Sequence, residues 1–216
     1  MDQLVEDKIA AIERGELAPN SQMRNYIRVL QKYAQGCEHI TEMGVAVVCS
    51  SWAFLSAKPK RMVSVDIDEK CPVQEIEQVA KQMGINYEFI VGDTNHGVTA
   101  TLGGLTPFNS NYTHNGKPVP HYTSEKTDLL FIDTYHRYES LKKELELHAD
   151  NAKKYIILHD TISFTPGRHP MSQPGEGGDM KGLLPAVEEF LADNPQWVTE
   201  HHYDDWPGLY IMKRVK

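Results

Sequence analysis

Residues 127–160 read TDLLFIDTYHRYESLKKELELHADNAKKYIILHD, and this stretch decides the fold. It opens with an apolar run, continues with a helical pattern that places Tyr138, Leu141 and Leu145 on one face, and closes with a second apolar run. The two apolar runs have the length of strands and are apolar enough to be covered on both faces. Such a strand–helix–strand unit predicts two parallel strands joined by a crossover helix.

The same alternation continues along the rest of the chain. Further strands are predicted at HITEMG, RMVSVDI and NYEFIVGD, and further helices at CSSWAFLSA, CPVQEIEQVAKQMG and MKGLLPAVEEFLAD. The final stretch, WVTEHHYDDWPGLYIMKR, is typical of a strand hairpin. The sequence therefore predicts an α/β fold with a doubly wound, mostly parallel sheet, in which the hairpin supplies one antiparallel strand.

The chain of 216 residues has the length of one domain with an appendage. Ser21 can cap a helix near the N-terminus, and Asn115-Gly116 is typical of the turn of a small hairpin. The expected divisions are a helical N-terminal appendage (1–36), a main domain (37–216), an insertion in it (94–126) and a flexible loop (161–179). The insertion and the loop are either surface segments or parts of a lid that faces the substrate.

Composition and charge exclude several classes of protein. The net charge is −8, which argues against nucleic acid as a partner. The N-terminus lacks the basic and apolar regions of a signal peptide, and the apolar stretch Gly44–Ala57 is too short to span a bilayer. The cysteines Cys37, Cys49 and Cys71 form no disulfide framework. We expect a cytoplasmic protein without a membrane partner.

Acidic or histidine side chains follow each of the five parallel strands. Because the carboxyl ends of parallel strands meet at one edge of a sheet, these side chains should lie together where such folds bind ligands. They are Glu42, Asp66, Asp93, Asp133, His136, His159 and Asp160.

Gly44 and Asp66 predict a site for a nucleoside. A glycine between strand and helix lets the backbone approach a ligand, and an acid at the next strand end can bind the ribose hydroxyls. A dinucleotide would require further glycines to cradle its pyrophosphate, and the run after Gly44 has none. S-adenosylmethionine (SAM) has no pyrophosphate, so the sequence favours SAM.

Asp133, His136 and Asp160 predict a second, reactive centre. Two carboxylates at adjacent strand ends repel each other unless a cation lies between them, and oxygen ligands suit Mg²⁺ or another hard divalent ion. Such an ion favours the ionised form of a neighbouring hydroxyl, and the His136 imidazole can accept the proton. The alkoxide could then attack a methyl sulfonium.

The motifs ITEMGVAVVCSSWAFL, VSVDID, FIVGDT and residues 129–161 resemble the class I SAM-dependent methyltransferases. The similarity is greatest to the branch of macrocin-type O-methyltransferases and cephalosporin-hydroxylase-like proteins. The matching signature comprises Ile132, Asp133, His136, Tyr138, His159 and Asp160.

The resemblance implies a seven-stranded sheet and a role for each site residue. Glu42 and Gly44 would border the methionine part of SAM, Asp66 would hold the ribose, and Asp93 would lie by the adenine. As for the reactive centre, the resemblance makes His136 the general base. It implies these metal ligands: Asp133, Asp160 and, with a weaker match, His159.

The expected activity is metal-assisted O-methyl transfer to a small molecule, in particular a sugar or glycosylated metabolite. Two alternatives stay open. One is another metal-assisted enzyme on the same fold, such as a hydroxylase or hydrolase. The other is a non-catalytic binding protein, because Val48 and Cys49 stand about where the family has glycine. The N-terminal helices and a sheet edge could support a homodimer.

Overall fold

The computed structural model describes residues 1–96 and 119–216, and within 97–118 the backbone of four short strands. The strands are β1 (His39–Met43), β2 (Arg61–Asp66), β3 (Asn86–Val91), β4 (Ala100–Thr101), β5 (Gly104–Leu105), β6 (Thr113–His114), β7 (Lys117–Pro118), β8 (Thr127–Ile132), β9 (Ala152–His159), β10 (Trp197–Tyr203) and β11 (Leu209–Arg214). The α-helices are α1 (Asp2–Glu13), α2 (Ile27–Ala34), α3 (Cys49–Ser56), α4 (Gln74–Gln82), α5 (Tyr138–His148) and α6 (Leu183–Asp193).

Seven of these strands form one sheet in the order β10-β11-β9-β8-β1-β2-β3. The strand β11 pairs antiparallel with both β9 and β10, whereas the other pairings in this sheet are parallel. The strand order reverses direction between β1 and β8, where two neighbouring strands send their crossover helices to opposite faces. The predicted doubly wound sheet with one antiparallel strand is confirmed.

Helices cover both faces of this sheet. Helices α1, α2, α3 and α4 share one apolar core with the sheet, and α5 and α6 share a second core on the other face. The rings of Phe54 in α3 and Phe131 in β8 meet edge to face, with centroids 5.3 Å apart. Burial of each such side chain stabilises the fold by about 1.5–3 kcal/mol. The strands of the stretch 127–160 have apolar cores on both of their faces.

The N-terminal helix α1 packs on α2 and α3, and its Val5 and Ile9 are fully buried in the first core. The helix expected directly after Ser21 begins later. The Ser21 hydroxyl accepts a hydrogen bond from the Met23 amide at 3.3 Å, but the turn it caps is a 3-10 helix, and the α-helix starts only at Ile27. The division of the chain at residue 36 stays a prediction.

The two segments that interrupt the alternation differ in what the structure describes. In the insertion, β6 and β7 pair antiparallel, as the predicted hairpin requires; its turn residues Asn115 and Gly116 lie outside the described residues. In the loop 161–179, residues 176–178 form a 3-10 turn, and the loop's flexibility stays a prediction. No helix among the described residues is both long and apolar enough to cross a membrane.

Candidate active site

A cavity of about 540 Å³ lies at the carboxyl edge of the sheet, between the ends of β1, β2, β3, β8 and β9. Its volume is within the range of small-molecule sites. The structure therefore brings together side chains that are far apart in sequence. The predicted site residues that border the cavity are Gly44, Asp66, Asp93, Asp133, His136 and Asp160. The other two, Glu42 and His159, lie buried behind its wall.

Gly44 follows the end of β1 and lies close to Asp133, which follows the end of β8. Its backbone has φ +86°, and a Cβ at this position would lie 1.9 Å from the Asp133 carbonyl oxygen. Only glycine fits such a contact. The left-handed conformation recurs at Ala46 (φ 43°) and Val48 (φ 59°), so the turn has glycine-like backbone at alternate positions although two of the three residues carry side chains. The sequence does not reveal this pattern, because no glycine stands at positions 46 and 48.

Asp66 holds this turn by its carboxylate. One oxygen accepts hydrogen bonds from the Val45 and Ala46 amides at 2.8 and 3.1 Å, and the other accepts from the Asp68 amide at 2.9 Å. Carboxylate oxygens together offer about four acceptor positions. Asp66 can therefore accept a further bond from a hydroxyl in the cavity while it keeps the turn in place.

Glu42 contacts protein side chains rather than the cavity. Its fully buried carboxylate accepts hydrogen bonds from Ser50 at 2.6 Å, Ser51 at 2.8 Å and Ser64 at 2.6 Å. Burial raises the pKa of Glu42 to about 7, and the three hydroxyls oppose this rise only in part. Glu42 thus ties β1 to α3 and β2, beneath the turn that follows Gly44.

Asp93 follows β3 and lies beside residues 120–122, where the chain returns from the insertion. The Asp93 amide donates to the Pro120 carbonyl, and the Asp93 carbonyl accepts from the Tyr122 amide, both at 2.9 Å. One carboxylate oxygen accepts from the Asn95 amide at 3.1 Å. The other is buried without a partner among the described residues.

Asp133, His159 and Asp160 form a compact group of potential metal ligands. One donor atom from each lies within 4.8 Å of the others, and the His159 Nδ1 is 3.3 Å from a carboxylate oxygen of each aspartate. Neither ring nitrogen of His159 makes a hydrogen bond among the described residues. A ring nitrogen and two carboxylates that converge on one point are the kind of donors that a divalent ion takes, so the donor set fits such an ion.

The charges of this group strongly shift the pKa values of His159 and Asp133. Burial alone would lower the pKa of His159, but the Asp133 and Asp160 carboxylates outweigh it and raise this pKa to about 10. Burial alone would raise the pKa of Asp133, but His159 and His136 outweigh it and hold this pKa far below its ordinary value. These shifts favour a positive His159 beside a negative Asp133, and a bound cation would take the place of that positive charge.

His136 lies beside this group, at the start of α5. Its Nε2 is 3.3 Å from a carboxylate oxygen of Asp133 and 3.4 Å from one of Asp160, and its ring stacks on Phe164 with centroids 4.1 Å apart. Burial would lower the pKa of His136, but the Asp133 carboxylate, helped by Asp160, raises it above the ordinary value. A cation that offsets the two carboxylates would favour the neutral imidazole.

Two acidic residues at the site were not among the predicted ones. Glu176, from the loop 161–179, borders the cavity beside His136. Glu144 of α5 is fully buried behind the wall, where Thr94 and Thr134 donate to it, and burial raises its pKa to about 7. Glu144 occupies the inward face of α5, three residues after Leu141, so a carboxylate on an apolar face was the available signal. Nothing local marks Glu176.

The sheet order, the antiparallel β11 and the cavity at the carboxyl edge define the Rossmann-like fold of class I SAM-dependent methyltransferases. No family profile matches the chain, and no curated protein matches it in sequence. The likeness to solved structures lies in the fold.

Three solved structures illustrate the likeness. An O-methyltransferase from Bacillus cereus in complex with SAH has a TM-score of 0.57 at 16% identity, over 100% of this chain and 92% of that chain. Cofactor-bound Rv0187 from MTB has a TM-score of 0.58 at 17% identity, over 99% and 90% of the two chains. An SAH-bound methyltransferase from Podospora anserina has a TM-score of 0.54 at 13% identity, over 97% and 88%.

Proposed function

We propose that this protein is a SAM-dependent, divalent-metal-assisted O-methyltransferase that acts on a hydroxyl of a small molecule, in particular a sugar or glycosylated metabolite. The observation that carries the proposal is the cavity itself. One part of its border has the turn at Gly44 with Asp66 and Asp93, and another part has His136 with the Asp133 and Asp160 carboxylates. A donor and an acceptor could meet between these parts.

The donor part has the groups that SAM needs. When bound, SAM supplies a methyl group on a sulfonium, which is open to attack by an oxygen nucleophile. Asp66 keeps about one acceptor position free for a ribose hydroxyl, and Asp93, which borders the cavity, would accept from a donor on the nucleoside. The solved structures with this fold include two that are described as SAH-bound, which supports the same kind of donor here.

The reactive part has a cation site and a base. Asp133, His159 and Asp160 would hold the divalent ion, which supplies positive charge that favours the ionised form of a nearby hydroxyl. His136 would take the proton at one of its ring nitrogens. Its stacking on Phe164 and its contact with Asp133 fix the ring in place, so that the base is oriented before the acceptor enters.

The charge of the cavity disfavours an anionic acceptor. None of the described residues that border it is Lys or Arg, while its acidic residues are Asp66, Asp93, Asp133, Asp160 and Glu176. An acceptor with a phosphate or carboxylate would be repelled unless the cation offset it. A hydroxyl-rich, neutral molecule such as a sugar suits this border, because carboxylates accept hydrogen bonds from hydroxyl groups.

Calorimetric titration of the protein with S-adenosylhomocysteine, with and without Mg²⁺, tests the proposal. We expect micromolar binding that is lost in D66A and kept in the control D68A, whose carboxylate lies outside the cavity border and accepts from the Lys70 amide instead. Titration with Mg²⁺ alone should show binding that is lost in D133N. Absence of S-adenosylhomocysteine binding under both conditions would refute methyl transfer and favour metal-only chemistry or a non-catalytic role.

A further inference from the structure

The segment 175–179 is bonded to the chain at His136. The His136 amide donates to the Glu176 carboxylate at 3.0 Å, and the Glu176 amide donates to the His136 carbonyl at 3.1 Å. The pair of bonds closes a ring between two segments that lie 40 positions apart in sequence. Both backbone polar groups of His136, its amide and its carbonyl, are thereby bonded to Glu176. No contact within α5 holds the backbone of His136 in this way.

The same segment also caps the helix that follows. Arg137, the residue before α5, makes no side-chain bond to the first amides of the helix, and such amides need an acceptor from elsewhere. Asp179 supplies it, since its carboxylate accepts from the Tyr138 amide at 2.7 Å. Negative charge is favourable at a helix N-terminus, so Glu176 and Asp179 together hold the segment against the start of α5.

This approach depends on the absence of a side chain at residue 175. A Cβ on Gly175 would lie 2.4 Å from the His136 carbonyl oxygen, although the backbone of Gly175, with φ −59°, is open to any residue. Residue 175 must therefore be glycine because there is no room for a Cβ, and not because of its backbone conformation. Any larger residue would push the segment away from His136.

The consequence for the imidazole is positional. Its Nε2 faces the Asp133 carboxylate, and one face of the ring lies on Phe164, which belongs to the same loop as Glu176. Its Nδ1 has no hydrogen-bond partner among the described residues and lies 4.0 Å from the Glu176 carboxylate. The fixed backbone leaves two side-chain torsions, and the contacts with Phe164 and Asp133 then restrict where the ring points.

We propose that Glu176 is a positioning residue for His136: its carboxylate bonds the His136 amide, docks the segment 175–179 on the start of α5, and thereby holds the imidazole between Phe164 and the metal-ligand group. Glu176 acts through His136 and not on the reacting atoms. The inference rests on the proposed function only where it takes His136 as the base; the positioning itself is a property of the protein without any ligand.

NMR on the full-length protein tests the positioning without a ligand. The stacked Phe164 ring should shift the His136 ring protons upfield, and the carboxylate bond should protect the His136 amide from hydrogen exchange. In E176A we expect the upfield shift to be lost and amide protection to fall about 10- to 100-fold, the equivalent of one hydrogen bond to a charged group. The variant E176Q keeps an oxygen acceptor and should retain the ring shift.

Two further variants keep the test decisive. G175A should give the same losses as E176A by steric exclusion, so it replaces E176A if that variant does not fold. E188A removes an exposed carboxylate that pairs with Arg168 on the surface, and it should leave His136 unchanged. Retention of both the ring shift and the amide protection in folded E176A or G175A would overturn the proposal. Failure of S-adenosylhomocysteine to bind the wild-type protein would instead count against the proposed function.

Discussion

Replacement of Ala46 by glycine should stabilise the protein, although glycine usually destabilises. Ala46 has φ 43° and is exposed at the edge of the cavity. A non-glycine residue in this left-handed region costs about 1–2 kcal/mol, while the extra freedom of glycine in the unfolded chain costs about 0.5–1 kcal/mol. Because the exposed methyl group contributes little packing, the net effect of A46G should be a gain of about 0.5–1 kcal/mol.

Urea unfolding monitored by tryptophan fluorescence measures this gain. For a chain of this size, a change of about 1 kcal/mol corresponds to a shift of about 2–4 °C in Tm, so thermal unfolding should agree. The matched control is A11G in the interior of α1, where the backbone is right-handed and glycine should cost about 1 kcal/mol. The same substitution should therefore change stability in opposite directions at the two positions.

The outcome that would refute this reasoning is a loss of stability in A46G together with the expected loss in A11G. The turn after Gly44 would then not hold residue 46 in the left-handed region. The hydrogen bond from the Ala46 amide to Asp66 would have to be made by a different backbone conformation. A gain in stability in A46G with unchanged S-adenosylhomocysteine affinity would show that the Ala46 methyl group destabilises the fold and is not needed for ligand binding.

Three further changes test other parts of the site. The folded pKa of Glu42, about 7, exceeds its ordinary value of 4.5, so its contribution to stability is full below pH 4.5 and is lost as the pH rises through 7. The free energy of unfolding in urea should therefore fall between about pH 5 and pH 8, and it should fall less in E42Q than in the wild type. G44A should lower the free energy of unfolding in urea by at least about 2 kcal/mol, because its Cβ would overlap the Asp133 carbonyl. The control G84A, with φ +73° and open space around it, should lower it by only about 1 kcal/mol. Equal losses in the two variants would contradict the overlap. H136A should bind S-adenosylhomocysteine like the wild type and transfer methyl groups about 10²-fold more slowly in a radiometric assay, and an unchanged rate would remove His136 as the base.

The ends of the strands could be predicted because they follow from local patterns. The apolar run of β8 stops before Asp133 and that of β9 before His159 and Asp160, so charged or titratable residues directly follow each run. Parallel pairing then puts these aspartates side by side without further information. The hairpin at the chain end was equally visible, because two runs with β-branched and aromatic residues, WVTEHHY and LYIMKR, flank the turn sequence DDWPG.

Contacts between distant segments could not be predicted in this way. Glu176 lies in a loop with no periodic pattern, and only its docking on the start of α5 shows that it contacts His136. The backbone at Val48 was also hidden, because a β-branched residue in the left-handed region is contrary to its local preference. Tertiary packing overrides local preference there, and no rule based on residue type detects it.

By itself, the sequence determined the order of strands and helices, the parallel sheet and the edge at which the acidic residues gather. These depend on hydrophobic periodicity and on the direction of the chain, which are local properties. Only the tertiary structure decided that Glu42 is buried against three serines, that Asp66 is bonded to the turn after Gly44, and that Glu176 holds the backbone of His136. Hydrogen bonds of this kind are made across long sequence separations, so they exist only once the sheet and its loops have packed.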